Sequence, residues 1–109
     1  SGRRAQIHFG RVLGSGGREM TVSATLNICN TRGLHARASA KFVKLASGFD
    51  SEIQVTRDGV TVDARSIMGL LMLGAGIGCT IDVTAEGEDA EEAMAALTDL
   101  VARKFDEDQ

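Results

Sequence analysis

The chain has 109 residues, 43% hydrophobic and 25% charged, the usage of one compact domain with a single core rather than two domains or a disordered segment. Its formal charge of −3, the lack of a basic run and an aromatic content of four Phe without Trp or Tyr argue against a nucleic-acid partner. The longest apolar stretch, Ile67 to Ile77, is broken by Gly69, Gly74 and Gly76 and is too short to cross a bilayer, so no membrane partner is expected.

Residues 1–19 hold four arginines and five glycines without clean periodicity, and they lack the apolar block of a secretory signal. They read as a flexible N-terminal extension or a segment added for expression, with Met20 opening a domain over 20–109. From Val22 the apolar residues Val22, Ala24, Leu26 and Ile28 alternate with polar ones, which predicts a half-buried strand. Asn30-Thr31-Arg32-Gly33 breaks it. Ala38, Phe42, Leu45, Ala46 and Phe49 then recur at spacings of three and four, predicting a helix over about 36–47 that Gly48 is placed to end.

Ile53 and Val55, then Val60 and Val62, alternate on either side of Asp58-Gly59, a two-residue turn pair that predicts a β-hairpin. Ser66 stands before the run Ile67 to Leu73 as the N-cap of a short helix ending before Gly74. Ile81, Val83 and Ala85 predict a fourth strand. A last helix carries the stripe Ala90, Ala93, Met94, Leu97, Leu100 and Val101, with acidic residues at its start and Arg103 and Lys104 at its end to match the helix dipole. The order β-α-β-β-α-β-α, with strands apolar on one face only, predicts an α+β fold: a four-stranded antiparallel sheet with three helices on one side.

Cys29 and Cys79 lack CxxC or Cys/His spacing, so reduced thiols and no metal site are expected. The informative segment is Gly33-Leu34-His35-Ala36-Arg37, between a strand end and a helix start. A helix N-terminus offers unpaired N–H groups and partial positive charge, both favourable to phosphate. That charge and Arg37 disfavour an imidazolium at His35 and leave a ring nitrogen free as nucleophile. Arg37 can fork phosphoryl oxygens, and Gly33 permits a tight turn before the site. Gly33, Ala36 and Arg37 are thus the candidate phosphate-binding positions, and His35 with Arg37 the catalytic ones.

Gly33-Leu34-His35-Ala36-Arg37-Ala38-Ser39 resembles the active-site signature of HPr-type phosphocarriers, and Arg65-Ser66-Ile67-Met68-Gly69 resembles the regulatory-serine segment of that family. Ala38 departs from it, since many members have proline there. Gly48-Phe49-Asp50, Leu70-Leu71-Met72-Leu73 and Phe105-Asp106-Glu107-Asp108 look like the nitrogen-related (NPr-like) branch rather than the sugar-transport branch. The resemblance implies an open-faced β-sandwich and a carrier with a covalent phosphohistidine rather than a stand-alone enzyme. It implies phosphate arriving on Nδ1 of His35 from an enzyme I-type protein and leaving for an enzyme IIA-type protein, without a cofactor. Ser66 would be the target of an HPr kinase/phosphorylase. Ile67, Met68, Leu71 and Met72 cannot all face inward from one short helix, so some are expected to form a docking patch, with Lys44 orienting acidic partners. A cytoplasmic monomer is expected.

Two other classes compete. A non-catalytic α+β regulatory module would bind a small anion at the same helix end without covalent chemistry. A hydrolytic enzyme would need a carboxylate or nucleophile paired with His35 at a recognisable spacing, and the sequence presents none.

Overall fold

The computed structural model describes residues 6–11 and 20–107. Among them, strands β1 (Gln6–Arg11), β2 (Met20–Asn27), β3 (Glu52–Arg57), β4 (Val60–Asp63) and β5 (Thr80–Gly87) form one antiparallel sheet in the order β1-β2-β5-β3-β4. Helices α1 (Ala36–Ala46), α2 (Ile67–Met72) and α3 (Ala90–Ala102) complete it, followed by a single tight turn at Lys104–Asp106. The expected four strands and three helices are all present, and the sheet gains a fifth strand. That strand, β1, lies in the segment read as an extension without periodicity, and it pairs with the outer edge of β2 from Gln6↔Thr25 to Arg11↔Met20. The rest of that extension lies outside the described residues.

Alternation explains which face is buried. Val22, Ala24 and Leu26 of β2, Ile53 and Val55 of β3, and Ile81, Val83 and Ala85 of β5 point into one core with Ala38, Phe42 and Ala46 of α1, Leu70 of α2, and Met94, Leu97, Leu100 and Val101 of α3. β5 sits at the centre, in register with β2 from Met20↔Gly87 to Asn27↔Thr80 and with β3 from Glu52↔Glu86 to Thr56↔Asp82. The Asp58-Gly59 turn has positive φ at both residues, 51° and 81°, as a type I′ hairpin requires.

Three local devices differ from or refine the sequence reading. α1 closes with Ser47 and Gly48 N–H groups bonding back to Val43 and Leu45 carbonyls, and Gly48 is not among the residues with positive φ, so no left-handed glycine ends it. The acidic start of α3 is put to another use: Asp89 makes no side-chain cap but accepts from the N–H groups of Asp50 and Ser51 at 2.8 and 2.9 Å and from the Ser51 hydroxyl, pinning the entry to β3. The hydrogen bond from the Ser51 side chain, followed by that from the Asp50 backbone, holds the Asp89 carboxyl below its usual range. Cys29 and Cys79 are free thiols with different partners, the Val101 carbonyl and the Arg57 guanidinium.

Candidate functional site

β2 runs out at Asn27, and the chain must reverse to enter α1. Ile28 still pairs with the far strand through Cys79, and then Asn30 organises the turn: the Gly33 N–H donates to its carbonyl at 3.1 Å and its side-chain amide donates to the Gly33 carbonyl at 2.9 Å. Gly33 takes φ +66°, where a Cβ would stand 2.5 Å from the Ala75 carbonyl oxygen and 2.7 Å from the Gly76 Cα. The next N–H, of Leu34, donates to that same Ala75 carbonyl at 2.9 Å. The loop following α2 is therefore clamped against the entrance to α1, and both the left-handed φ and the missing room for a Cβ favour glycine at this position.

His35 is the N-cap of α1, with extended backbone at φ −75° and ψ 179°, and its carbonyl accepts the first helical bond, from the Ser39 N–H at 2.8 Å. Ala36, Arg37 and Ala38 are the helix's opening donors, which have no intrahelical acceptor. One of them is spoken for: the Arg37 N–H donates to Nδ1 of His35 at 3.3 Å. An acceptor nitrogen carries a lone pair, so Nδ1 is unprotonated and the ring proton belongs to Nε2.

Nε2 has its own partner, the carboxylate of Glu107. The side chains of His35 and Glu107 are 22% and 19% exposed, so the pair is sheltered but reachable from solvent. Asn30, which is fully buried, donates from the same side-chain amide to Glu107 at 2.9 Å. That bond leads in holding the Glu107 carboxyl below its usual range; partial burial opposes it, and His35 and Arg32 add to it.

Glu107 reaches the site because the chain turns back after α3. Lys104, Phe105 and Asp106 have φ of 58°, 55° and 63°, three successive left-handed residues, none of them glycine. Such backbone is strained and persists where the surroundings over-determine it. Here the Phe105 ring is fully buried in the core, its carbonyl accepts from Lys41 Nζ at 2.8 Å, and Arg103 Nε donates to Asp106 at 3.0 Å.

The residues singled out in the sequence are distributed as follows. Gly33, His35, Ala36 and Arg37 come together at the α1 entrance, with the Arg37 side chain exposed and without an acidic partner among the described residues. Lys44 is exposed two turns further along α1. Ser66 caps α2, its hydroxyl accepting from the Gly69 N–H at 2.9 Å. On α2, Leu70 is buried while Ile67, Met68, Leu71 and Met72 are 40%, 70%, 37% and 74% exposed, so these four form a surface patch rather than core. Glu107 and Asn30 are the site residues that sequence reasoning missed. Glu107 entered it only as part of the ending that marks a branch, and Asn30 only as a strand breaker.

Comparison with known proteins agrees with this geometry. A family model described as the PTS HPr component phosphorylation site matches residues 22–103. The chain is 52% identical over 80 residues to the phosphocarrier protein HPr of Cupriavidus necator, covering 73% of this chain and 90% of that protein. It is 48% identical over 82 residues to the phosphocarrier protein NPr of Shewanella violacea, covering 75% and 90%. Among solved structures, HPr-C-His from Thermoanaerobacter tengcongensis superposes with a TM-score of 0.77 at 47% identity, covering 80% of this chain and 98% of that one.

Proposed function

The chain belongs to the HPr family of phosphocarrier proteins, and on that premise we propose that His35 accepts a phosphoryl group on Nδ1 from an enzyme I-type protein and passes it to an enzyme IIA-type protein. The observation that carries this reading is the N-cap position of His35, where a lone-pair nitrogen sits among the opening N–H groups of α1. Attack by Nδ1 forms the N–P bond as the donor's bond to phosphorus breaks, the electron pair leaving with the donor. The bond from the Arg37 N–H to Nδ1 is given up in that step, and the N–H groups of Ala36, Arg37 and Ala38 become available to the phosphoryl oxygens, assisted by the helix dipole. The exposed Arg37 guanidinium is free to fork the same oxygens.

The exposed patch of Ile67, Met68, Leu71 and Met72 suits docking of the two partners, since thioethers adapt to more than one surface. Lys44 would meet acidic groups on them. Phosphorylation of Ser66 by an HPr kinase/phosphorylase would place close to two negative charges beside this patch. We assign the protein to the nitrogen-related branch on its Phe105-Asp106-Glu107-Asp108 ending, and take it to work as a cytoplasmic monomer without a cofactor, residues 20–109 forming the carrier domain and 1–19 an extension of it. Among the described residues no helix is long and apolar enough to cross a membrane.

Incubation with phosphoenolpyruvate and a cognate enzyme I tests the reading. An acid-labile phosphate on the wild type and none on His35→Ala is the expected result. Reversible phosphate binding without a covalent product would instead favour an anion-binding module.

A further inference from the structure

We propose that Glu107 is a positioning residue for His35: its carboxylate keeps a proton on Nε2 throughout the transfer cycle and balances the charge the ring acquires when Nδ1 is phosphorylated. The proposal rests on the phosphocarrier reading above. Its basis is a chain of contacts that no part of that reading uses. Asn30 donates one side-chain N–H to the Gly33 carbonyl and the other to Glu107, so a single buried amide ties the turn before the nucleophile to the residue behind it. Glu107 then meets Nε2 of His35, on the opposite side of the ring from the helix end.

The chemical consequence follows from counting charge. With Nε2 protonated and Nδ1 bearing a lone pair, the free ring is neutral. When Nδ1 bonds to phosphorus the proton stays on Nε2, and the ring becomes cationic. Arg37, Arg32 and the α1 N-terminus are all positive and oppose this; the phosphoryl oxygens and Glu107 favour it. On onward transfer the N–P bond breaks, its electron pair returns to Nδ1, and the ring leaves as neutral imidazole with its proton unmoved. Glu107 makes loss of that proton from the phosphorylated ring less favourable; from a ring that had lost it, the leaving group would be an imidazolate, a far poorer one. The carboxylate therefore acts on leaving-group quality and tautomer.

The twisted ending supplies the precision. Phe105 is an anchor in the core, Lys41 holds its carbonyl and Arg103 holds Asp106, so the backbone that leads into Glu107 is fixed. A carboxylate held this way orients a histidine as the supporting carboxylates of other histidine sites do.

The test uses the full chain, with 15N-labelled histidine, as wild type, Glu107→Gln, Glu107→Asp and Glu107→Ala. Wild type should show a ring N–H resonance at Nε2 protected from solvent exchange, which is lost in Glu107→Ala. The maximal rate of transfer from phosphorylated protein to an enzyme IIA-type acceptor should fall about tenfold in Glu107→Gln, with KM for that acceptor little changed and partial recovery in Glu107→Asp. Unaltered melting temperature and amide spectra away from the tail would separate this from a loss of fold. A protected Nε2 proton that survives Glu107→Ala, or a rate within twofold of wild type in Glu107→Gln, overturns the role of Glu107 while leaving His35 as acceptor. A wild type that takes no phosphate at all overturns the functional reading and this inference with it.

Discussion

Asn30 and Glu107 are 77 residues apart in the chain, yet a 2.9 Å hydrogen bond joins them, and through it the turn that leads into α1 is coupled to the residue that follows α3. This bond leads in lowering the Glu107 carboxyl from its ordinary value of 4.5. A carboxyl whose folded value lies below its unfolded one contributes stability that is fully present above the unfolded value and is lost as pH falls through the folded one. The tail contact should thus persist at pH 5 and release in stronger acid, below the usual carboxylate range. Side-chain amide resonances of Asn30 followed through an acid titration would report it; release already complete at pH 5 would contradict it.

Gly33→Ala should be among the most damaging single substitutions at the site. Its Cβ would collide with backbone on the loop after α2, and no flexible side chain is there to yield. The expected loss is roughly 2 kcal/mol or more, combining left-handed strain with displacement of the loop. Chemical denaturation gives the value, and a change below 0.5 kcal/mol would show that the clamp is soft.

Ser66→Ala removes the acceptor for the Gly69 N–H and should cost ~1 kcal/mol. Ser66→Asp can cap the same helix, so it should leave the fold intact while its charge weakens binding to enzyme I. Calorimetric binding to enzyme I, run beside thermal melts, distinguishes the two effects; equal affinity for wild type and Ser66→Asp would remove α2 from the docking surface.

Arg37→Ala should slow phosphate acceptance without loss of stability, since the Arg37 side chain is exposed and the cap is made by its backbone N–H. His35→Ala should abolish acceptance. Quench-flow with phosphorylated enzyme I measures both, and an unimpaired Arg37→Ala would assign phosphate stabilisation to the helix N-terminus alone.

Phe105→Ala should destabilise by about 3–5 kcal/mol, the range for a fully buried aromatic residue. It should also loosen Glu107 from His35, because the ring holds the left-handed turn in place. Denaturant unfolding together with the Nε2 proton resonance checks the two consequences at once.

How much was legible beforehand depended on how local each cause was. The alternation through Val22, Ala24, Leu26 and Ile28, the Asp58-Gly59 turn and the Ser66 cap are decided by neighbours within a few positions, and each forms where its pattern placed it. The His35 helix entrance was readable for the same reason. β1 was not, because an edge strand can be held by backbone pairing to β2 and needs no alternating apolar face. The His35–Glu107 pair was not readable either. It spans 72 residues and relies on three left-handed non-glycine positions, held by the burial of Phe105 and by the contacts of Lys41 and Arg103 rather than by any local sequence preference. Asn30 shows the same limit: its composition signalled a turn, while its second N–H found a partner that only the fold brings near.

Because Glu107 lies 72 residues after His35, a chain can hold every strand and helix of the domain and still lack the carboxylate. Every strand of the sheet and all three helices precede the carboxylate in the chain, β5 ending at Gly87 and α3 at Ala102. On the roles proposed above, a polypeptide cut short just before Glu107 would keep His35, the α1 entrance and the exposed α2 residues, and is expected still to be recognised by partners. It would occupy them with a ring whose charge is unbalanced, acting as a competitor of the intact carrier rather than as a silent fragment.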